Sequence, residues 1–232
     1  MTLNRAWAKC SVRQLLSGFQ EEIVKDLSAE SGSRGYQLTP EQREAWEESI
    51  VILENALRPA CSQVQSIKDW SVLFEYEIPR RGKRPDVIFL GHGFVCVLEM
   101  KIGATGFSRA DQLQVEDYVK DLKDFHEESR DLMVIPILCS SKATESSIDL
   151  SDDNVEKRVQ LATKEKLGEL CMAIQSKYGN PKLIDSNDWE KSRYQPTPNI
   201  IEAALDVYSG HRVRDISHAD ADNLTKTVDE IR

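Results

Sequence analysis

No run of apolar residues in this 232-residue chain approaches the roughly 18 needed for a membrane-spanning helix. The opening stretch, MTLNRAWAKC, has no signal-peptide core, so a cytoplasmic location is the expectation. Cysteine is sparse and odd in number: Cys10, Cys61, Cys96, Cys139 and Cys171 lie far apart, and no C-x-x-C pair occurs. That usage argues against a disulfide framework or a zinc site and for reduced thiols. No G-x-x-x-x-G-K-[ST] stretch is present, which removes a P-loop motor. Spacing yields no Ser-His-Asp or Cys-His arrangement, and there is no internal repeat. Positive charge is in deficit, 30 Lys and Arg against 39 Asp and Glu, for a formal net charge of −9. Taken alone, such a balance weighs against a general nucleic-acid coat, but enzymes of phosphodiesters can be acidic overall with one basic strip.

What is present suits one packed domain with an appendage: 40% of residues are hydrophobic. The segment 12–27 has apolar residues at helical spacing. Thr39-Pro40 with Gln42 signals a helix start, followed by a stripe of Trp46, Ile50, Leu53 and Leu57 that Pro59 should end. A strand region follows (WSVLFEYEIP), then a basic turn and an apolar hairpin. Residues 110–128 read as a helix, DLMVIPILCSS as a strand, 142–154 as a polar loop, 163–177 as a helix, and PTPNIIEAALDVYSG as another short helix. This order predicts an α/β fold, a mixed sheet flanked by helices with a C-terminal helical extension. The expected organisation is 1–38 as an N-terminal helix and loop, 39–180 as the core, and 181–232 as extension or linker.

The hairpin RPDVIFLGHGFVCVLEMK carries three charges that a buried strand would not tolerate unpaired. A two-residue turn at His92-Gly93 sets Leu90 opposite Val95, Ile88 opposite Val97 and Asp86 opposite Glu99. Alternation then places Lys101 on the face of Glu99. Two facing carboxylates repel unless a cation lies between them, and oxygen ligands of this kind suit Mg²⁺ or Mn²⁺. A lysine beside them can orient water or neutralise charge on a phosphoryl group. A surface ion pair is the ordinary alternative for any one E-x-K.

Pro85-Asp86 and Glu99-Met100-Lys101 on the two hairpin arms, with Gln114 to Tyr118 (QVEDY) on the next helix, resemble the PD-(D/E)xK nuclease superfamily, in its RecB-like, QxxxY-bearing branch. The likeness covers about residues 40–140. A narrower one joins EYEIPRRGKRPDV, QVEDYVKDLKDFH and PTPNIIEAALDVYSGHRVRDIS to the N-terminal region of bacterial Schlafen-group, helicase-fused proteins.

The resemblance implies a restriction-endonuclease-like domain that hydrolyses nucleic-acid phosphodiesters, with DNA the expected substrate, and a helicase, fused or separate, as partner in DNA processing or antiphage defence. It implies catalytic roles for Asp86, Glu99, Lys101, Gln114 and Tyr118, with Asp86 and Glu99 on the metal. A further acid belongs on the upstream helix, where Glu47 and Glu54 fit. Beside such a site, the turn residues Arg80, Arg81, Lys83 and Arg84 become candidates for binding nucleic acid. The rival is a catalytically silent module of the same fold that binds nucleic acid or docks a helicase. His126 reads as structural, and His211, Asp215, His218, Asp220 and Asp222 as a solvated tail.

Overall fold

Alternation of buried side chains organises the molecule around its central hairpin. The computed structural model describes residues 5–79, 81–151 and 155–195. Strand β3 (Val87–Leu90) and strand β4 (Phe94–Lys101) pair antiparallel, with Leu90 opposite Val95 and Ile88 opposite Val97. Gly93 takes a left-handed φ of 87° in the turn, a conformation glycine adopts without steric cost.

Around this hairpin the sheet has six strands in sequence order. β1 (Ala8–Ser11) and β2 (Ser71–Phe74) extend it antiparallel on one side. β5 (Met133–Ser140) and β6 (Gln160–Thr163) extend it parallel on the other. It is the mixed sheet flanked by helices that the sequence predicts.

Each face of the sheet is covered. On one, Phe89, Cys96, Leu98 and Ile137 pack with helices α1 (Val12–Leu15), α2 (Gln20–Ser33), α3 (Pro40–Gln63) and α5 (Leu167–Tyr178). On the other, Ile88, Val95, Val97 and Leu138 meet Val115, Tyr118 and Leu122 of α4 (Arg109–Phe125). Trp189 of α6 (Ser186–Lys191) joins this second core. Glu99 and Lys101, in step with Val95 and Val97, therefore face α4. All five cysteines are free and buried.

Several local expectations are corrected. The segment 12–27 is not one helix: Gly18, at a φ of 94°, separates α1 from α2. Pro59 does not end α3, which runs on to Gln63. It lies on the solvent face, where the Asn55 carbonyl that loses its usual donor can turn to water. The segment 1–38 is more than helix and loop, because β1 is a strand of the sheet. Residues 181–195 belong to the same body: the Ile184 amide donates to the Gly91 carbonyl, and Glu190 accepts from the Ala6 amide at 2.8 Å. The helix expected at 196–210 and the tail lie outside the described residues. Among the described residues no helix is long and apolar enough to cross a membrane.

Candidate active site

β2 pairs with β3 only as far as Phe74 opposite Val87. Glu75 then adopts a φ of 50°, and the chain leaves the ladder while its amide still donates to the Asp86 carbonyl at 2.9 Å. On the other side, the β3–β4 ladder stops at Val87 opposite Leu98, one pair short of the expected Asp86–Glu99 pair. Asp86 instead turns its carboxylate to accept the Met100 amide at 2.7 Å. The two acids still share the α4 face and one cleft of about 1190 Å³.

Helix α4 holds the opposite wall. Ser108 caps its N-terminus, accepting the Asp111 amide at 3.1 Å. The polar position on its inner face is fully used. The Gln114 side-chain carbonyl accepts from Lys101 Nζ at 3.1 Å, and its amide donates to Glu99 Oε1 at 2.9 Å and to the Tyr118 hydroxyl at 2.6 Å. Lys101 also donates to Glu99 Oε1 at 3.0 Å and pairs with Asp111 at 3.2 Å. The Tyr118 hydroxyl donates to the Arg84 carbonyl at 3.4 Å. All five residues of the expected site are thus brought together, with Asp111 added.

Burial works on these charges first. It pushes the Asp86 carboxyl far above its ordinary value, and the neighbouring charges of Glu99 and Glu75 add to the effect. Burial likewise raises Glu99, against the opposing pull of Lys101. Burial alone would lower Lys101, but the charge and hydrogen bond of Glu99, with Asp111, outweigh it and hold the ammonium firmly protonated. The Tyr118 hydroxyl is pushed up to about 12, chiefly by burial.

The residues fit a hard divalent cation. Glu99 Oε2 is buried and has no hydrogen-bond partner, while Oε1 takes two donors. A buried oxygen of this kind needs a partner, which water or an ion can supply. Among the described residues no group of three or more His, Cys, Asp or Glu side chains is arranged to hold a metal unaided. Asp86 and Glu99 would therefore share an ion with water and substrate oxygens, the habit of Mg²⁺.

The acid expected on the upstream helix is neither Glu47 nor Glu54. Glu47 pairs with Arg43 on the exposed surface at 2.9 Å, and Glu54 accepts from Gln20 away from the cleft. A further buried carboxylate lining the cleft is Glu75, which sequence reasoning missed. It takes the Trp46 indole N–H at 2.6 Å and forms an ion pair with Arg84. Burial raises its pKa, with Arg84 opposing. The signal was available: the antiparallel register of FEYE against PDV sets Glu75 opposite Asp86.

Among the described residues, the cations of the basic turn are already paired. Arg81 pairs with Asp121 at 2.8 Å, and Lys83 pairs with the same carboxylate at 2.8 Å and with Asp117. Arg84 lies over the Trp7 ring at 3.9 Å. Arg80 lies outside the described residues. His126 is structural: its ring is buried between the Ser129 hydroxyl and the Trp189 carbonyl, and burial lowers its pKa to about 4.

No family model matches the chain, and no curated protein does. Among solved structures it is similar to protein VC1899 from Vibrio cholerae, at 12% sequence identity and a TM-score of 0.33. The match covers 72% of this chain and 50% of that one, so the chain spans about half the length of that protein.

Proposed function

We propose that the chain is a divalent-metal-dependent nuclease with a restriction-endonuclease-like core. It would hydrolyse nucleic-acid phosphodiesters, with DNA as the expected substrate and a helicase as its partner in DNA processing or antiphage defence. One observation carries this reading: Glu99 presents an unpartnered buried oxygen beside Asp86, while its other oxygen is held by Lys101 and Gln114.

Asp86 and Glu99 would hold Mg²⁺ or Mn²⁺, which when bound supplies Lewis acidity to water and to the phosphoryl group. Lys101, protonated across the neutral range, offers its ammonium to a phosphate oxygen as negative charge builds up. Gln114 fixes the Lys101 amine and the Glu99 carboxylate together, and Tyr118 fixes Gln114.

The test is incubation of the pure protein with end-labelled single- and double-stranded DNA and RNA, with Mg²⁺, Mn²⁺ or EDTA. Cleavage that needs the ion and is lost in Asp86→Asn, Glu99→Gln and Lys101→Ala is the expected result. Equal cleavage in excess EDTA would overturn the reading. Binding without cleavage under every ion would favour the silent module.

A further inference from the structure

The cleft is larger than a phosphodiester site requires. At about 1190 Å³ it exceeds the roughly 300–1,000 Å³ of ordinary small-ligand pockets. Besides Asp86, its lining includes Glu75, Arg84, Trp46, Arg34 and Tyr36. Six large apolar or aromatic side chains are exposed among the described residues, and Tyr36, 52% exposed, is the most exposed of them. It is also the only one of the six that lines this cleft.

Tyr36 is held from behind. Its ring stands 5.4 Å from that of Trp7, and the Arg84 guanidinium lies 5.3 Å from its centre. Arg84 in turn contacts Glu75, whose amide donates to the Asp86 carbonyl. A short chain of contacts therefore links the ring to the candidate metal ligand. The two arginines beside the ring are paired, Arg84 with Glu75 and Arg34 with Glu77. Paired arginines give a phosphate little to hold, whereas a supported aromatic ring gives a flat base a face to stack on. Bases inside a duplex are already stacked on their neighbours and offer no free face.

We propose that Tyr36 is a stacking platform for an unpaired nucleobase next to the scissile phosphate, so that the cleft takes single-stranded or frayed nucleic acid. This rests on the nuclease reading for the position of the phosphate, but the base contact is measurable without catalysis.

The experiment measures fluorescence anisotropy in EDTA with a labelled oligothymidylate of roughly 12 nucleotides, its abasic counterpart and a duplex. Stacking of about 1–3 kcal/mol per base predicts that Tyr36→Ala binds the single strand about 5- to 150-fold more weakly, while Tyr36→Phe binds as wild type does. The abasic strand should bind wild type weakly and be indifferent to Tyr36→Ala. Melting curves and the Phe variant guard against simple misfolding. Equal affinity of wild type for the thymidylate and abasic strands would overturn the proposal, as would a Tyr36→Ala variant that binds like wild type. Cleavage with Mg²⁺ is scored separately on the same proteins. Cleavage by wild type without a base effect sinks the platform alone, and a base effect without cleavage sinks the nuclease reading alone.

Discussion

The Trp46 indole N–H donates to Glu75 Oε1 across 2.6 Å, tying α3 to the chain where β2 ends. The same carboxylate faces Arg84, whose side chain is 24% exposed. A non-glycine residue at a φ of 50° costs about 1–3 kcal/mol, so the surrounding contacts must hold it there. Glu75→Gln keeps an acceptor for Trp46 but loses the charge facing Arg84. Since burial raises the Glu75 pKa despite Arg84, the neutral amide should shift the melting temperature little at neutral pH, by less than about 2–4 °C. Glu75→Ala removes both partners and should cost more, about 3 kcal/mol. If calorimetry finds the alanine variant as stable as wild type, the pair does not anchor this end of the cleft.

Three carboxylates crowd the same space, and the sign of their effect on stability follows from their shifts. Asp86, Glu99 and Glu75 all have raised folded pKa values, with burial the first cause in each. Such groups contribute their stability fully below the unfolded carboxylate range, near about 4, and lose it as pH rises through the folded values. Metal-free protein should therefore lose stability through these groups as pH climbs toward neutrality. His126 acts oppositely: its ring is lowered to about 4 by burial, so its contribution is present above its unfolded pKa and lost as pH falls. Asp86→Asn separates the two, flattening the first effect and leaving the second. Mg²⁺ should raise the melting temperature of wild type at neutral pH and leave that of the variant unchanged. Identical pH profiles, with neither protein responding to Mg²⁺, would remove the two-carboxylate site.

Under the proposed nuclease reading Gln114 acts as a positioning residue, because it reaches the candidate site through Lys101, Glu99 and Tyr118. Gln114→Ala should lower cleavage by about 10- to 100-fold, on the order of the loss of one or two oriented hydrogen bonds. The half-buried position should keep its melting temperature within a few degrees. Gln114→Glu, which offers Lys101 an acceptor but Glu99 no donor, should restore little and should weaken with rising pH. A stable, fully active alanine variant would show that the three bonds are only packing.

The hairpin was legible because its alternation and its His92-Gly93 turn leave one register that buries both faces, and the ladder follows it. The stripe of Trp46, Ile50, Leu53 and Leu57 was legible for the same reason, since all four are buried. β1 was not, because four residues (AKCS) become a strand only through pairing with β2 about 60 residues away. Pro59 misled because a local rule met a solvent-facing helix position. Glu75 was hidden by its own backbone: a helix-borne acid was sought, while the carboxylate comes from a residue that breaks a strand. The basic turn showed its charges but not their partners, Asp117 and Asp121 lying one helix away.

Those partners decide what the turn can do. The Asp121 side chain is 2% exposed and sits between Arg81 and Lys83. A free cation that meets a phosphate releases counterions, and each such contact steepens the dependence of log affinity on log salt by roughly 1. Arg81 and Lys83 would first have to abandon a buried carboxylate, and leaving that charge unpaired costs about 3–5 kcal/mol. Removing both cations should therefore destabilise the protein by about that amount, while changing the salt slope by much less than 2. Asp121→Asn should steepen the slope instead, because it releases Arg81 from its ion pair and leaves Lys83 only the one with Asp117. Melting curves and a salt titration of oligonucleotide binding on the two variants distinguish the cases. If the double variant melts like wild type and its slope falls by about 2, the turn tracks the phosphate backbone and the pairs with Asp121 yield to it.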